Sequence, residues 1–147
     1  MHVSEHFTLH EARCRCGCGI EKKHIPEISA LAELHEEFRA ALNADPELKQ
    51  YLGTAKEFGL VVLSWVRCEA HNKAVNGAAN NSRHLAKHCE ATDLTCPRIP
   101  ASVLYEKAKP FYETVILYPD KNFIHVDTRA WADGLAHAWV NEPRPVA

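Results

Sequence analysis

The chain has 147 residues, of which 46% are hydrophobic, so we expect one folded domain over residues 1–147 rather than a disordered polypeptide. The formal net charge of −2 excludes the basic surface typical of nucleic-acid binding. No apolar run is long enough to span a membrane, and the N-terminus lacks the pattern of a secretory signal. We therefore expect synthesis in the cytoplasm and, if the protein leaves it, another route of exit.

Helices are predicted to dominate the first part of the chain. Apolar residues recur at steps of three and four over residues 26–43, which predicts a helix with one face in the core. The elements expected next are a short helix at 45–53, a buried strand at 58–67, a brief helix at 69–75 and a loop at 76–82.

Strands are predicted to dominate the second part. The elements are a short strand at 91–95, a helix that Pro110 ends or bends, and strands at 114–118 and 123–129 joined by a hairpin turn. Helices that precede strands favour an α+β domain, with N-terminal helices packed on a small antiparallel sheet.

Six cysteines and ten histidines are present. Without an export signal, reduced thiols are favoured over three disulfides. Cys14, Cys16 and Cys18 alternate along the chain, unlike a Cys-x-x-Cys knuckle, so we interpret them as a thiol cluster, with a second zinc site as the alternative. We expect four histidines to be ordinary surface or half-buried residues: His10, His24, His35 and His137.

Metal-capable side chains concentrate in NSRHLAKHCEATDL, residues 81–94, and in the strand FIHVDTR. The two-residue period of a strand places His125 and Asp127 on one face, towards a cleft or solvent. With His84 and Asp93, His125 would complete two imidazoles and one carboxylate, a donor set that suits a catalytic zinc with one position left for water. The alternative is that His84 is a loop histidine and Asp93 a strand-end cap.

Three blocks in order carry a family resemblance: Ser64–Cys68 with His71–Asn72, Ser82–His84 with Ala91–Asp93, and Phe123–Arg129. Together with the opening HFTLHEARCRCGCG, they resemble the zinc D-alanyl-D-alanine carboxypeptidases and murein endopeptidases. The most similar branch comprises small single-domain members from bacteria and phage lysis proteins. The resemblance covers about residues 5–131 and implies a hedgehog/DD-peptidase-like fold with a zinc cleft.

The resemblance also implies residue roles. His84, Asp93 and His125 would bind Zn²⁺. Arg67 would approach the terminal carboxylate or the scissile carbonyl of a peptidoglycan stem peptide, because a guanidinium offers paired donors. Its alternative is a strand-end residue paired with a surface carboxylate. Ser82 would hydrogen-bond substrate or order its loop.

The general base is open between two residues. Several family members have a carboxylate three residues before the last zinc histidine, where this chain has Asn122. Asp127 is the first candidate and Asp120, in the hairpin turn, is the second. Asp127 could instead orient a ligand histidine.

Two departures from the family pattern affect the site. His84 and Asp93 lie nine positions apart, two more than in the family, so we expect residues 87–90 to form an excursion at the cleft rim. The alternative is that Glu90, His88 or Cys89 replaces Asp93 as ligand. Trp65 stands where the family has glycine, and we expect it to narrow or block the pocket.

These observations predict a zinc peptidase that cleaves peptidoglycan stem peptides, acting at the cell wall or as a phage lysis protein. The alternative is a non-catalytic zinc-binding structural or binding protein on the same fold, for example a phage virion component with virion partners.

Overall fold

The computed structural model describes residues 1–15, 20–67, 72, 82–85 and 90–141. Its elements in chain order are α1 (Leu9–Ala12), a 3-10 turn (Lys22–His24), α2 (Ile25–Ala44), a 3-10 helix (Pro46–Tyr51), β1 (Val61–Ser64), β2 (Ala91–Thr95), α3 (Ala101–Ala108), β3 (Thr114–Tyr118), β4 (Phe123–Asp127) and β5 (His137–Val140). The predicted α+β class is confirmed. That residues 1–147 form a single domain stays a prediction.

The five strands form one sheet in the order β1-β2-β4-β3-β5. The first four pair antiparallel with their neighbours, as predicted, and the register places Asp93 beside His125 and Thr114 beside Asp127. β5 was not predicted and pairs parallel with β3, so the sheet is mixed. A parallel pair needs a long crossover connection, and local periodicity does not reveal which distant strand a segment joins.

The two faces of the sheet have different surroundings. On one, the helix face, Thr92 and Leu94 are fully buried, and Thr92 contacts α2 through His35. The other, the polar face, carries Asp93, His125 and Asp127. Alternation along β2 and β4 therefore separates an apolar core from a line of titratable groups.

Strand β1 is shorter than the predicted strand at 58–67. The Asn43 side chain accepts from the Phe58 backbone N–H at 2.7 Å and donates to the Phe58 carbonyl at 3.0 Å. This amide on α2 satisfies the backbone groups that a longer strand would pair within the sheet. Helix α3 ends at Ala108, two residues before Pro110, as the sequence predicted.

The prediction for His35 was wrong. It is completely buried on α2, and its ring lies among Phe7, Trp65 and Tyr112. Nδ1 lies 2.8 Å from the Tyr112 hydroxyl and Nε2 lies 2.9 Å from the Thr92 hydroxyl. Two hydroxyl partners satisfy the ring inside the core. Of the other three histidines in that prediction, His10 is exposed, and His24 and His137 are partly buried.

Trp65 also lies in this core, with a side chain only 1% exposed. Its indole packs edge-on against Phe7 and His35. The expectation that Trp65 narrows or blocks a pocket was therefore wrong, because the ring fills the core on the side of His35.

Some predicted features lie outside the described residues: the helix at 69–75 except Asn72, the loop at 76–81, Cys16, Cys18, His88 and Cys89. Cys14 and Cys96 are buried. Among the helices of the described ranges, none has the length and apolar character that a bilayer crossing requires.

Candidate metal centre

The site is assembled from two strands and one loop. The β2–β4 register places Asp93 directly opposite His125 on the polar face. His84 reaches the same point from the loop before β2, because its carbonyl accepts the Arg67 backbone N–H at 2.6 Å. The Ser82 hydroxyl accepts the His84 backbone N–H at 3.2 Å, which fixes the turn that carries this histidine.

The three side chains form a nearly equilateral triangle. His84 Nε2 lies 3.0 Å from Asp93 Oδ1 and 3.2 Å from His125 Nδ1, and the third side, from His125 Nδ1 to Asp93 Oδ1, is 3.1 Å. Three ligands on a tetrahedral zinc with bonds near 2.0–2.1 Å would lie about 3.3 Å apart. The donor set and its spacing therefore fit one zinc ion with a fourth position left for water.

Each histidine has its remaining ring nitrogen occupied. His84 Nδ1 donates to the Trp65 carbonyl oxygen at 2.7 Å, and His125 Nε2 donates to Asp127 Oδ2 at 2.7 Å. Partners of this kind fix the tautomer and the ring angle of metal-binding histidines. The nitrogens that face the triangle are thus the ones available to a metal.

The pKa values of the two histidines are shifted in opposite directions. Burial lowers the pKa of His84, although Asp93 opposes the shift. Burial also lowers the pKa of His125, but the hydrogen bonds that this ring donates to Asp127 and Asp93 outweigh it and raise the pKa to about 9. Burial raises the pKa of Asp93, but the two histidines outweigh it and hold that pKa well below the ordinary value. In the metal-free triangle Asp93 is therefore a carboxylate, and His125 holds a proton more firmly than His84 does.

Comparison with known families decides the relationship. The model of the Peptidase M15 family matches residues 5–127. This chain belongs to the Peptidase M15 family. No curated protein and no solved structure matches it.

M15 membership makes the triangle the expected position of a peptidase zinc. The structure brings together all three predicted ligands, with ligand atoms within 4.8 Å of one another. In the part of the chain that the structure describes, this is also the one group of three or more histidine, cysteine or carboxylate residues with metal-binding spacing. Their role as ligands stays a prediction.

A backbone hydrogen bond joins the two ends of the segment between His84 and β2. The Glu90 backbone N–H donates to the Arg83 carbonyl at 3.2 Å, so the chain leaves and returns at one point before β2 begins. Glu90 lies near Arg83, with 3.7 Å between Oε2 and Nε, and does not join the triangle. The predicted excursion itself lies mostly outside the described residues, but its closed base explains how Asp93 can reach the triangle.

Asp127 is buried behind His125. Its side chain is 0% exposed. Arg129 Nε lies 3.0 Å from each carboxylate oxygen, and the Arg129 backbone N–H donates to Oδ1 at 3.2 Å. Burial raises the pKa of Asp127, but His125 and Arg129 outweigh it and keep that pKa well below the ordinary value. These contacts favour an orienting role over proton transfer at the reacting centre.

Arg67 lies near Asp93 and is 7% exposed. Its NH1 donates to Asn72 Oδ1 at 3.1 Å, and its NH2 lies 3.8 Å from Asp93 Oδ2. Its buried Nε has no hydrogen-bond partner among the described residues. Arg67 is thus a buried cation beside the triangle, and its alternative as a strand-end residue paired with a surface carboxylate does not hold.

The β3–β4 turn contains Asp120, the second candidate for the general base, and Asn122. Asp120 is exposed there and outside the triangle. Asn122 has a left-handed backbone, with φ of 54°, and its side-chain oxygen accepts the Ala101 backbone N–H at 3.2 Å. Asn122 therefore caps the start of α3.

Sequence reasoning missed the residues that support the triangle. The Trp65 carbonyl orients His84, and a backbone group leaves no trace in side-chain type. Arg129 belongs to the third resemblance block, but no role was predicted for it. Its position two residues after Asp127 is the signal that could have indicated the contact between them. Tyr118 lies on the polar face two residues from Ile116, the partner of His125. Burial, and next the charge of Asp93, raises the pKa of Tyr118.

Proposed function

We propose that this protein is a zinc-dependent peptidase that cleaves peptidoglycan stem peptides, as a D,D-carboxypeptidase or an endopeptidase. The observation that carries the proposal is the triangle of His84, Asp93 and His125, in which each histidine is also held by a partner on its other ring nitrogen. Membership of the Peptidase M15 family supplies the peptidase class.

The bound zinc would supply an activated water and polarise the amide carbonyl. The chain's own residues would do the rest. Asp93 and the two histidines hold the ion, and Asp127 orients His125. Arg67, buried beside Asp93 with an unsatisfied Nε, offers donors to a substrate carboxylate or to charge that develops on the scissile carbonyl.

The acid–base group is proposed to be Asp120. Asp127 is fully buried and occupied by His125 and Arg129. Asp120 is exposed in the hairpin turn, where its carboxylate is accessible to a substrate. It borders a small cavity of about 150 Å³ with Tyr118, Lys121 and Asn141. Substrate binding would have to bring the scissile bond within its reach.

The proposed place of action is the bacterial cell wall, reached either by a bacterial protein or by a phage lysis protein. The substrate chemistry carries this proposal, because stem peptides ending in D-alanine are the class that the family resemblance implies.

A second candidate is a non-catalytic zinc-binding protein on the same fold, for example a virion component. One observation favours it: Asn122, at the position of the family carboxylate, is committed to capping α3. A protein of this kind would keep zinc and lack turnover.

Digestion of purified peptidoglycan tests the proposal. The zinc-loaded protein should release D-alanine or separate cross-linked stem peptides, as mass spectrometry of the products would show, and a chelator should stop this. His84→Ala is the matched control for contaminating hydrolases. Stoichiometric zinc binding without any product would favour the non-catalytic candidate, and absence of zinc binding would contradict both.

A further inference from the structure

A chain of contacts leads from Asp127 through Arg129 and Trp131 to Thr114. Arg129 Nε contacts both Asp127 oxygens at 3.0 Å. The Arg129 guanidinium carbon lies 5.0 Å from the centre of the Trp131 ring. Trp131 Nε1 donates to the Thr114 hydroxyl at 2.8 Å, and Thr114 lies opposite Asp127 in the β3–β4 register. The contacts thus return to the residue that is paired with Asp127 in the sheet.

We propose that Arg129, held by Trp131, is a positioning residue that sets the metal affinity of the centre by fixing Asp127 against His125. The inference rests on the metal centre of the proposed function. It does not depend on catalysis, since a non-catalytic zinc protein would need the same support.

The charge balance of the buried carboxylate is the first reason. Asp127 is 0% exposed, so without a cation its charge would be costly to bury. Arg129 supplies the compensating positive charge through its guanidinium, and its backbone N–H donates a further hydrogen bond. Both Asp127 oxygens are thereby fixed, and Oδ2 is directed at His125 Nε2. His125 then presents Nδ1 to the triangle.

The second reason is that Arg129 is itself restrained. Its side chain is 22% exposed and follows the end of β4, where an arginine would ordinarily sample many rotamers. The Trp131 ring covers the guanidinium, and the bond from Trp131 to Thr114 ties that ring to β3. Thr114 is fully buried and lies opposite Asp127 in the sheet register. The chain of contacts is therefore anchored in the sheet at both ends, to β4 through Asp127 and to β3 through Thr114.

Zinc affinity, measured by competition with a chromophoric chelator, tests the inference. R129Q should lower affinity on the order of 10- to 100-fold, the scale for loss of a residue that supports a metal ligand. R129K keeps the charge without the planar fork and should fall between R129Q and wild type. W131F should cause a loss smaller than that of R129Q. R39Q is the matched control, because Arg39 makes an arginine–carboxylate pair with Glu57 at 2.9 Å.

A double-mutant cycle separates positioning from general damage. If Arg129 acts through Asp127, R129Q should change zinc affinity little when D127N is already present. The visible spectrum of the cobalt(II) protein should change in R129Q and not in R39Q. Additive losses, or wild-type affinity in both R129Q and R129K, would overturn the inference. The zinc-binding assays contain no substrate and are independent of turnover. A wild type that binds zinc but cleaves no peptide would therefore contradict only the proposed enzyme. A wild type that binds no zinc would contradict both proposals.

Discussion

Two neighbouring residues of β2 each lead to a buried histidine, on opposite faces of the sheet. Thr92 contacts His35 of α2 on the helix face, and Asp93 contacts His125 on the polar face. Both imidazoles are at least nine-tenths buried. Yet burial lowers the pKa of His35 to about 3, whereas the pKa of His125 rises to about 9 against the effect of burial.

The difference comes from the partners and not from the depth of burial. His35 meets two hydroxyl groups, which satisfy a neutral ring and do not stabilise a charge well enough to offset desolvation. His125 meets two carboxylates, Asp93 and Asp127, which together favour the imidazolium. We infer that His35 serves the fold, while His125 holds a proton that a cation could replace.

The largest expected effect is loss of the metal. His125→Ala should abolish stoichiometric zinc binding, because a two-ligand remnant cannot hold the ion with comparable affinity. His35→Phe should retain zinc, because His35 lies on the other face. Zinc content after dialysis, measured by elemental analysis, checks both. The comparison fails if His35→Phe loses the metal while it remains folded.

The second expected effect concerns the carboxylate behind His125. Asp127→Asn should lower zinc affinity on the order of 10- to 100-fold, because an amide orients and polarises the ring less well. Turnover should recover at high zinc concentration if Asp127 only positions the histidine. Unchanged affinity with lost turnover at saturating zinc would instead identify Asp127 as the base.

The sequence could predict the polar-face histidine and not the one on the helix face. His125 and Asp127 share the period of a strand, and Asp93 lies on a second strand, so the pattern and the family resemblance both indicated a cluster. His35 falls four positions after Leu31 on the buried stripe of α2, but a helical period cannot show that Thr92 and Tyr112 lie opposite it. Those contacts join residues 57 and 77 positions apart.

The same distinction applies to the rest of the site. The residue types of the triangle made His84, Asp93 and His125 candidates, and the family resemblance selected them. The Trp65 carbonyl, the Asn122 cap and the contact between Trp131 and Thr114 depend on backbone direction and cross-strand register. Neither of these properties is encoded in the spacing of side-chain types, which is why they required coordinates.

The third prediction concerns stability in acid. His35 has a folded-state pKa of about 3, below its unfolded value of about 6.5, so the unfolded chain binds the proton more readily. The neutral His35 ring makes its full contribution to the free energy of unfolding above pH 6.5, and this contribution is lost as pH falls towards 3. At pH 5 the loss should be about 2 kcal/mol, from about 1.4 kcal/mol per pH unit.

Urea unfolding of metal-free protein at pH 7 and pH 5 measures this loss. His35→Phe should be less stable than wild type at pH 7 but should show a smaller fall between the two pH values. Equal falls in both proteins would mean that His35 does not remain neutral in the core.

The smallest expected effect is a proton count, and it tests the polar-face histidine directly. In the metal-free protein at about pH 6, His125 should be protonated, because its pKa is about 9. Burial lowers the pKa of His84, so this ring holds a proton less firmly than His125 does. Zinc must take the Nδ1 lone pair of His125, so binding should release about one proton. At this pH a zinc-bound water would keep most of its own protons, since its pKa is near 7.

Calorimetric titrations in buffers of different ionisation enthalpy measure the number of protons released. His35→Phe should release the same number of protons as wild type, because His35 is neutral at this pH and does not change its protonation when zinc binds. A count near zero would mean that His125 is neutral before zinc arrives, and the contrast between the two buried histidines would then lie in their contacts alone.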